Sequence, residues 1–204
     1  MSKALAAWLL ITAAAASTQV SPREVVQATV ERVLRTLEEA QAPPAAGPRA
    51  DPGRVRAEIR RLAAALFDFE EVARRALGRH WGARTPEERA EFLALFTDLL
   101  ERAYVGRLES YAGERVVFTG ETVDGEYAVV RSRLITRRRV EMALDYRLHR
   151  AEGQWKVYDV VIDGVSFVST YRRELNHLLQ LTSWDDLMDR LRKRRVEART
   201  VLDR

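Results

Sequence analysis

From Val140 to His149 the chain alternates apolar and polar side chains almost one for one. Val140, Met142, Leu144, Tyr146 and Leu148 share one parity, and Glu141, Asp145, Arg147 and His149 the other. Period-two alternation of this kind predicts a half-buried strand. The same period runs from Arg115 to Ile162, and its interruptions divide that stretch into four strands, at about 115–122, 126–136, 140–150 and 154–163. Asp124-Gly125 is a hairpin signal, and three-residue turns at 137–139 and 151–153 complete an antiparallel meander. With turns of those lengths, Leu134, Met142 and Ile162 fall in one cross-strand row, Leu144 pairs with Val160, and Tyr146 with Tyr158. One face is then apolar across three strands. Arg131, Asp145 and Asp159 align on the reverse face, where two carboxylates need an arginine such as Arg131, Arg147 or Arg133 between or beside them.

Before and after this sheet the period is helical. Ser21-Pro22 with Glu24 starts a helix carrying Val26, Val30, Val33 and Leu37; Asp51-Pro52 starts another with Ile59, Leu62 and Leu66. Asp68 caps a short helix that ends near "GRHWG". Thr85-Pro86-Glu87-Glu88 opens the longest helix, whose wide stripe includes Phe92, Phe96, Leu99 and Tyr104. After the sheet, Ser169 or Thr170 caps a helix with Tyr171, Leu175, Leu178 and Leu179 inward, and Ser183 caps a last one through Leu187 and Leu191. The resulting class is α+β, with helices packed on one face of a curved four-stranded antiparallel meander. If helix and sheet pack solidly, their apolar faces are an ordinary core. If they stand apart, the fold is cone-shaped with an apolar cavity.

Composition adds compartment and partner class. The 204 residues fit one domain, and 47% hydrophobic with 31% charged residues is a globular balance. Residues 1–16 have the form of a cleaved signal peptide: Lys3, the apolar run Ala4 to Ile11, then small residues from Ala13 to Ala16. That apolar run is short for a membrane span. Residues 17–204 would then be a single exported domain. The absence of cysteine rules out disulfides, thiolate metal sites and a lipidated N-terminal cysteine. A net charge of +4 and an exported chain argue against nucleic acid as a partner. The basic run "RLRKRR" at the last helix end is read first as a solvated helix terminus and second as a contact for anionic headgroups.

Catalytic signatures are sparse. The sequence has no Gly-rich phosphate loop, no Gly-x-Ser-x-Gly elbow and no His-Glu-x-x-His. His80, His149 and His177 fall on three different elements without ligand spacing, so no metal or cofactor is expected. Asp159, in mid-strand, is the one candidate for a pocket acid or base; the competing role is an ion pair with Arg131 or Arg147, which the register favours.

One segment, "GQWKVYDVVIDGVSFVSTYRREL", continues its apolar run through a glycine turn into a helix. Its Gly153, Trp155 to Val160, Asp163 to Ser166 and Tyr171-Arg172 closely resemble the signature of the MlaC family. "FDFEEVARRALGRHW" and "TPEERAEFLALFTDLLERAY" are similar to two further stretches of that family, and the likeness spans about residues 55 to 191. The resemblance implies a non-enzymatic, monomeric periplasmic phospholipid carrier that helps maintain outer-membrane lipid asymmetry. Its implied partners are phospholipid, an inner-membrane MCE-domain ABC transporter and an outer-membrane lipoprotein–porin complex. A cone-fold enzyme using Asp159 and an adaptor that binds no lipid are the alternatives.

The physics of such a cargo is demanding. Each buried methylene recovers about 0.8 kcal/mol, so a sixteen-carbon chain left in water costs roughly 10 kcal/mol. A carrier therefore needs a dry slot for the tails. Face and spacing offer Phe92, Phe96, Leu99, Met142, Leu144, Tyr146, Val160, Ile162, Val165 and Phe167 as lipid-contact candidates. Trp81, Arg147 and Arg172 are the candidates for headgroup contact or docking.

Overall fold

The structure is a computed structural model that describes residues 20–41, 51–108 and 113–193, with the backbone alone described at 106–108. The signal-peptide expectation for residues 1–16 and most of the basic tail lie outside these residues. Six α-helices and five strands follow in the order α1 (Pro22–Gln41), α2 (Pro52–Leu66), α3 (Phe69–Leu77), α4 (Pro86–Leu108), β1 (Arg115–Asp124), β2 (Tyr127–Ile135), β3 (Glu141–Ala151), β4 (Gln154–Ile162), β5 (Val165–Ser166), α5 (Phe167–Leu181) and α6 (Trp184–Arg192). A 3-10 turn, Gly78–Ala83, links α3 to α4. No helix of the described residues is long and apolar enough to cross a membrane.

Helix starts sit where the capping residues place them. Ser21 accepts from the Glu24 amide while Glu24 accepts from the Ser21 amide. Thr85 and Glu88 exchange the same pair of bonds, and Ser183 and Asp186 form a third capping box. Asp51 caps α2 and Asp68 caps α3. Ser183→Ala removes an N-cap side chain and should lower the stability of the protein by about 1 kcal/mol, read as a reduced urea midpoint at unchanged slope.

The sheet is an open antiparallel meander in the order β1-β2-β3-β4-β5. The fifth strand corrects the four-strand expectation. Asp163 and Gly164 both adopt positive φ, 46° and 81°. The turn therefore reverses the chain in two residues, and Val165 pairs with Ile162. Gly164 is needed here because a Cβ disfavours that backbone. Asp163 also anchors the turn to β3: its carboxylate accepts from the Ala143 amide at 2.8 Å and its own amide donates to the Ala143 carbonyl at 3.0 Å.

Between β2 and β3 the register is the expected one, with Leu134 opposite Met142 and Arg131 opposite Asp145. Between β3 and β4 it is displaced by two residues: Leu144 faces Ile162, Tyr146 faces Val160, and Arg147 faces Asp159. Half the displacement comes from the turn, which is two residues rather than three, with Glu152 and Gly153 both at positive φ. A bulge around Tyr158 supplies the rest. Beyond the bulge the shift is even, so Val160 and Ile162 keep their face. Between turn and bulge it is one residue, so Trp155 and Val157 turn inward and Tyr158, expected beside Tyr146, lies on the reverse face against Tyr127 and His149.

Besides a small cluster of Leu37 with Val55 and Ile59 between α1 and α2, two larger apolar cores form among the described residues. One joins α3, α4, α5 and α6 around Leu77, Phe92, Phe96, Leu99, Leu175, Leu187 and Leu191. The other sets Val26 of α1 and Leu66 of α2 on the inner sheet face, against Ala128, Val130, Tyr146, Leu148, Trp155 and Val157. Helices cover the inner face of β1 to β3, whose reverse face carries exposed Tyr127, Arg131, Arg133, Ala143 and Arg147. At β4 the covering is two-sided, since Asp159 and Val161 on the reverse face are also buried beneath β5 and the start of α5.

Candidate functional site

Burial along the inner sheet face changes steadily from one end to the other. Near the β1–β2 and β3–β4 turns, Ala128, Val130, Leu148, Trp155 and Val157 are buried. Toward the opposite end, Leu134, Met142, Leu144, Val160 and Ile162 are all partly exposed, although they lie on the same apolar face. Phe118 and Leu144 lean on the sheet core, whereas Tyr104 and Phe167 lean on the helix core. The inner face is therefore fully covered at one end and only partly covered at the other.

Aromatic packing builds the helix-side wall. Phe167, the first residue of α5, sits 4.8 Å from the Tyr171 ring and 5.3 Å from the Tyr104 ring, centroid to centroid. Tyr171 in turn meets Phe96 edge-on at 5.3 Å. Burial pushes the Tyr171 phenol well above its ordinary pKa, and the neighbouring Tyr104 phenol pushes it further. Burial likewise raises the Tyr146 phenol, against a hydrogen bond with Ser132. Both stay neutral at any physiological pH, so the hydroxyls are uncharged polar groups in an apolar wall.

Asp159 is the most heavily bonded side chain beside this region. It is 3% exposed. One oxygen accepts from the Val168 amide at 3.0 Å, and the other takes the Ser166 hydroxyl at 2.7 Å and Arg147 at 3.3 Å. Ser166 accepts from the Ser169 amide at 3.0 Å, so Ser166, and not Ser169 or Thr170, caps α5. The helix begins earlier than its own sequence suggests because a carboxylate from β4 accepts from the Val168 amide in its first turn. Asp159 thus locks the "VSFV" corner that sets Phe167 against Tyr104 and Tyr171.

The sequence-derived candidates separate into groups. Met142, Leu144, Val160, Ile162, Val165 and Phe167 lie at or beside the partly covered end, and all are partly exposed. Tyr146 lies deeper on the same face, stacked on Phe118 at 6.5 Å. Phe92, Phe96 and Leu99 are buried in the helix core instead; Phe92 stacks on Phe96 at 5.3 Å and lies 5.9 Å from Trp184. Of the docking candidates, Trp81 packs on the helix core beneath Arg89, and Arg147 is held by Asp159 on the reverse sheet face. Arg172 donates to the Arg75 carbonyl at 2.8 Å and crosses α3 under Gly78. Each of the three has a task inside the fold. Phe118 and Leu134 join the partly covered end without having been singled out, although the parity of Val116-Phe118 and Ser132-Leu134 marked their face.

Other chemistry is structural. His149 bonds Asp68 at 2.9 Å and lies edge-on to Tyr158, over which Arg75 stacks at 4.0 Å. Burial pushes the Tyr158 phenol up, opposed by that guanidinium. No group of His, Asp and Glu that could hold a metal occurs among the described residues. At the C-terminal end, Arg192 binds Glu91 of α4 at 2.7 Å and Lys193 binds Asp189, so the start of the basic run is paired within the fold.

An unclosed antiparallel sheet, helices on its inner face and an apolar end only partly covered define an α+β protein. The family model described as MlaC protein matches residues 27–193, and the chain belongs to the MlaC family. A curated relative, the intermembrane phospholipid transport system binding protein MlaC of Haemophilus influenzae, is 24% identical over 194 residues, covering 93% of this chain and 88% of its own length. A solved phospholipid-binding protein from Ralstonia solanacearum, in complex with a phospholipid, superposes with a TM-score of 0.73 at 26% identity over 85% of this chain and 96% of that one.

Proposed function

We propose that this protein binds phospholipid by its acyl chains at the open end of a cradle between sheet and helices and carries it through water between two membranes. The observation that carries the reading is the partly covered apolar end of the inner sheet face. Water there meets Leu134, Met142, Leu144, Val160 and Ile162 on one side and Phe167 on the other. A sequence that buries the rest of that face so well gains nothing by leaving these five aliphatic side chains wet, unless hydrocarbon covers them. The names of the Haemophilus and Ralstonia relatives point to the same cargo.

In this reading Met142, Leu144, Val160, Ile162, Val165 and Phe167 touch the tails. Phe92, Phe96 and Leu99 stiffen the wall behind them. The polar headgroup stays in water at the mouth. The expected route is the periplasm, with exchange at an outer-membrane lipoprotein–porin complex and at an inner-membrane MCE-domain ABC transporter. Catalysis by Asp159 is disfavoured because its two oxygens are already occupied by an amide, a hydroxyl and a guanidinium.

Lipid extraction and mass spectrometry of protein purified from a bacterial envelope provide the direct test. Phospholipid at close to one molecule per chain is the expected result. Protein that stays folded and carries no extractable lipid, even after incubation with vesicles, would leave the adaptor reading standing instead.

A further inference from the structure

The hairpin tip between β2 and β3, at the open end of the cradle, carries Arg137, Arg138 and Arg139 in succession, all exposed. The tip is not loose. The Thr136 amide donates to the Val140 carbonyl at 3.0 Å, the Arg139 amide to the Thr136 carbonyl at 2.9 Å, and the Val140 amide to the Thr136 hydroxyl at 3.1 Å. The ion pairs and side-chain hydrogen bonds of the described residues engage none of the three guanidinium groups. The nearest such pair, Arg133 with Glu141 at 2.7 Å, lies one step down the strands.

Two features make the run costly to the fold. Adjacent like charges repel, and Arg139 has a φ of 60°, a left-handed backbone that suits glycine or asparagine and disfavours longer side chains. Neither cost is returned by an ion pair or a side-chain hydrogen bond among the described residues. Next to the arginines, Val140 is 54% exposed, and Val117 on the neighbouring strand is 45% exposed. Arg137 lies against Gly113, where the chain enters β1, and Arg115 adds another exposed cation there, with Glu114 the acid beside it.

Topology places this tip at the mouth. Leu134 and Met142, whose side chains are partly exposed on the inner face, form the pair just inside Ile135 and Glu141, which border the tip. The β4–β5 turn, tied to Ala143 through Asp163, projects from the same end of the sheet.

We propose that the β2–β3 tip docks the protein on an anionic lipid bilayer, with Arg137, Arg138 and Arg139 on headgroup phosphates and Val140 among the headgroups, so that the mouth of the cradle faces the membrane. This rests on the carrier reading above, to which it adds the surface that meets the donor or acceptor leaflet. Exposed cations that no ion pair of the described residues engages, beside one aliphatic side chain, match what anionic interfaces attract. A protein hot spot draws on arginine too, but sets it among large packed anchors, whereas the exposed apolar side chain that adjoins this run is Val140.

Binding of the full exported chain is measured on phosphatidylcholine vesicles and on vesicles with about one part phosphatidylglycerol to two of phosphatidylcholine, where each surface arginine contributes roughly fivefold in affinity. The wild type should bind the anionic vesicles alone, and less as salt rises. The variant R137Q/R138Q/R139G, in which glycine suits the left-handed position, should lose about a hundredfold in affinity. Its urea midpoint should hold or rise, since the substitutions relieve like-charge repulsion and the strained position 139, and its extracted lipid content should stay unchanged. The variant R137K/R138K/R139K should recover most of the binding, because a bilayer reads charge whereas a bidentate protein contact needs the guanidinium. Equal binding of wild type and the neutral variant, binding to pure phosphatidylcholine, or failure of the lysine variant to recover would each overturn the proposal. Absence of lipid from every variant, the wild type included, would instead count against the carrier reading, because lipid content is read separately from vesicle binding.

Discussion

Asp159→Ala is expected to destabilise the protein by about 3 kcal/mol, the range for deleting a buried charged partner of several hydrogen bonds. The loss falls on one corner of the fold. The Val168 amide loses its acceptor, the Ser166 hydroxyl loses its orienting partner, and Arg147 is left without its carboxylate. Arg147 is half-exposed and regains water, which keeps the cost below that of a fully buried broken pair. Asp159→Asn should cost somewhat less, about 2 kcal/mol, because its carbonyl still accepts from Val168 while its NH2 group faces other donors. Urea unfolding reads both as a lower midpoint at constant slope. A pocket acid kept for catalysis behaves in the opposite way, since its removal commonly leaves stability intact or improved. An unchanged midpoint in either variant would therefore return Asp159 to the list of functional residues.

The second large effect is on cargo. Leu144→Trp places a bulky ring at the point where the inner face passes from buried to uncovered, between the Ser132 and Ile162 rows. If tails lie there, the ring displaces several methylenes. Four of them at about 0.8 kcal/mol each amount to roughly 3 kcal/mol, or more than a hundredfold in retention. Extracted phospholipid should fall below about a tenth of the wild-type amount on that arithmetic. Stability should change by less than about 1 kcal/mol, because a side chain with open space beside it avoids the overpacking penalty of a solid core. Val160→Trp, across the sheet from Tyr146, should act in the same direction. Undiminished lipid in a folded Leu144→Trp protein would remove this residue from the path. A drop of several kcal/mol in stability would indicate solid packing where a cradle is proposed.

How far these residues were legible in the chain depends on the range of the interaction that places them. Strand parity is local, so Met142, Leu144, Val160 and Ile162 could be assigned to one face before any tertiary contact was known, and a register error of two residues left that assignment intact. Capping is local too, and Ser21, Asp51, Asp68, Thr85 and Ser183 start the helices that their side-chain chemistry announces. The start of α5 lies outside this local reading because its partner, Asp159, comes from the neighbouring strand rather than from the helix's own first turn.

The chain itself therefore determined the types of the longer elements, the apolar face of β3, five of the helix caps and the MlaC likeness, since each rests on side-chain chemistry repeated over a few residues. Tertiary structure alone decided which apolar residues are core and which stay open. Phe92 and Phe96 read in sequence as Leu144 and Ile162 do, yet the first two close against α5 and α6 while the last two remain partly exposed. Periodicity reports that a face is apolar; only the distance between layers says whether protein atoms fill it.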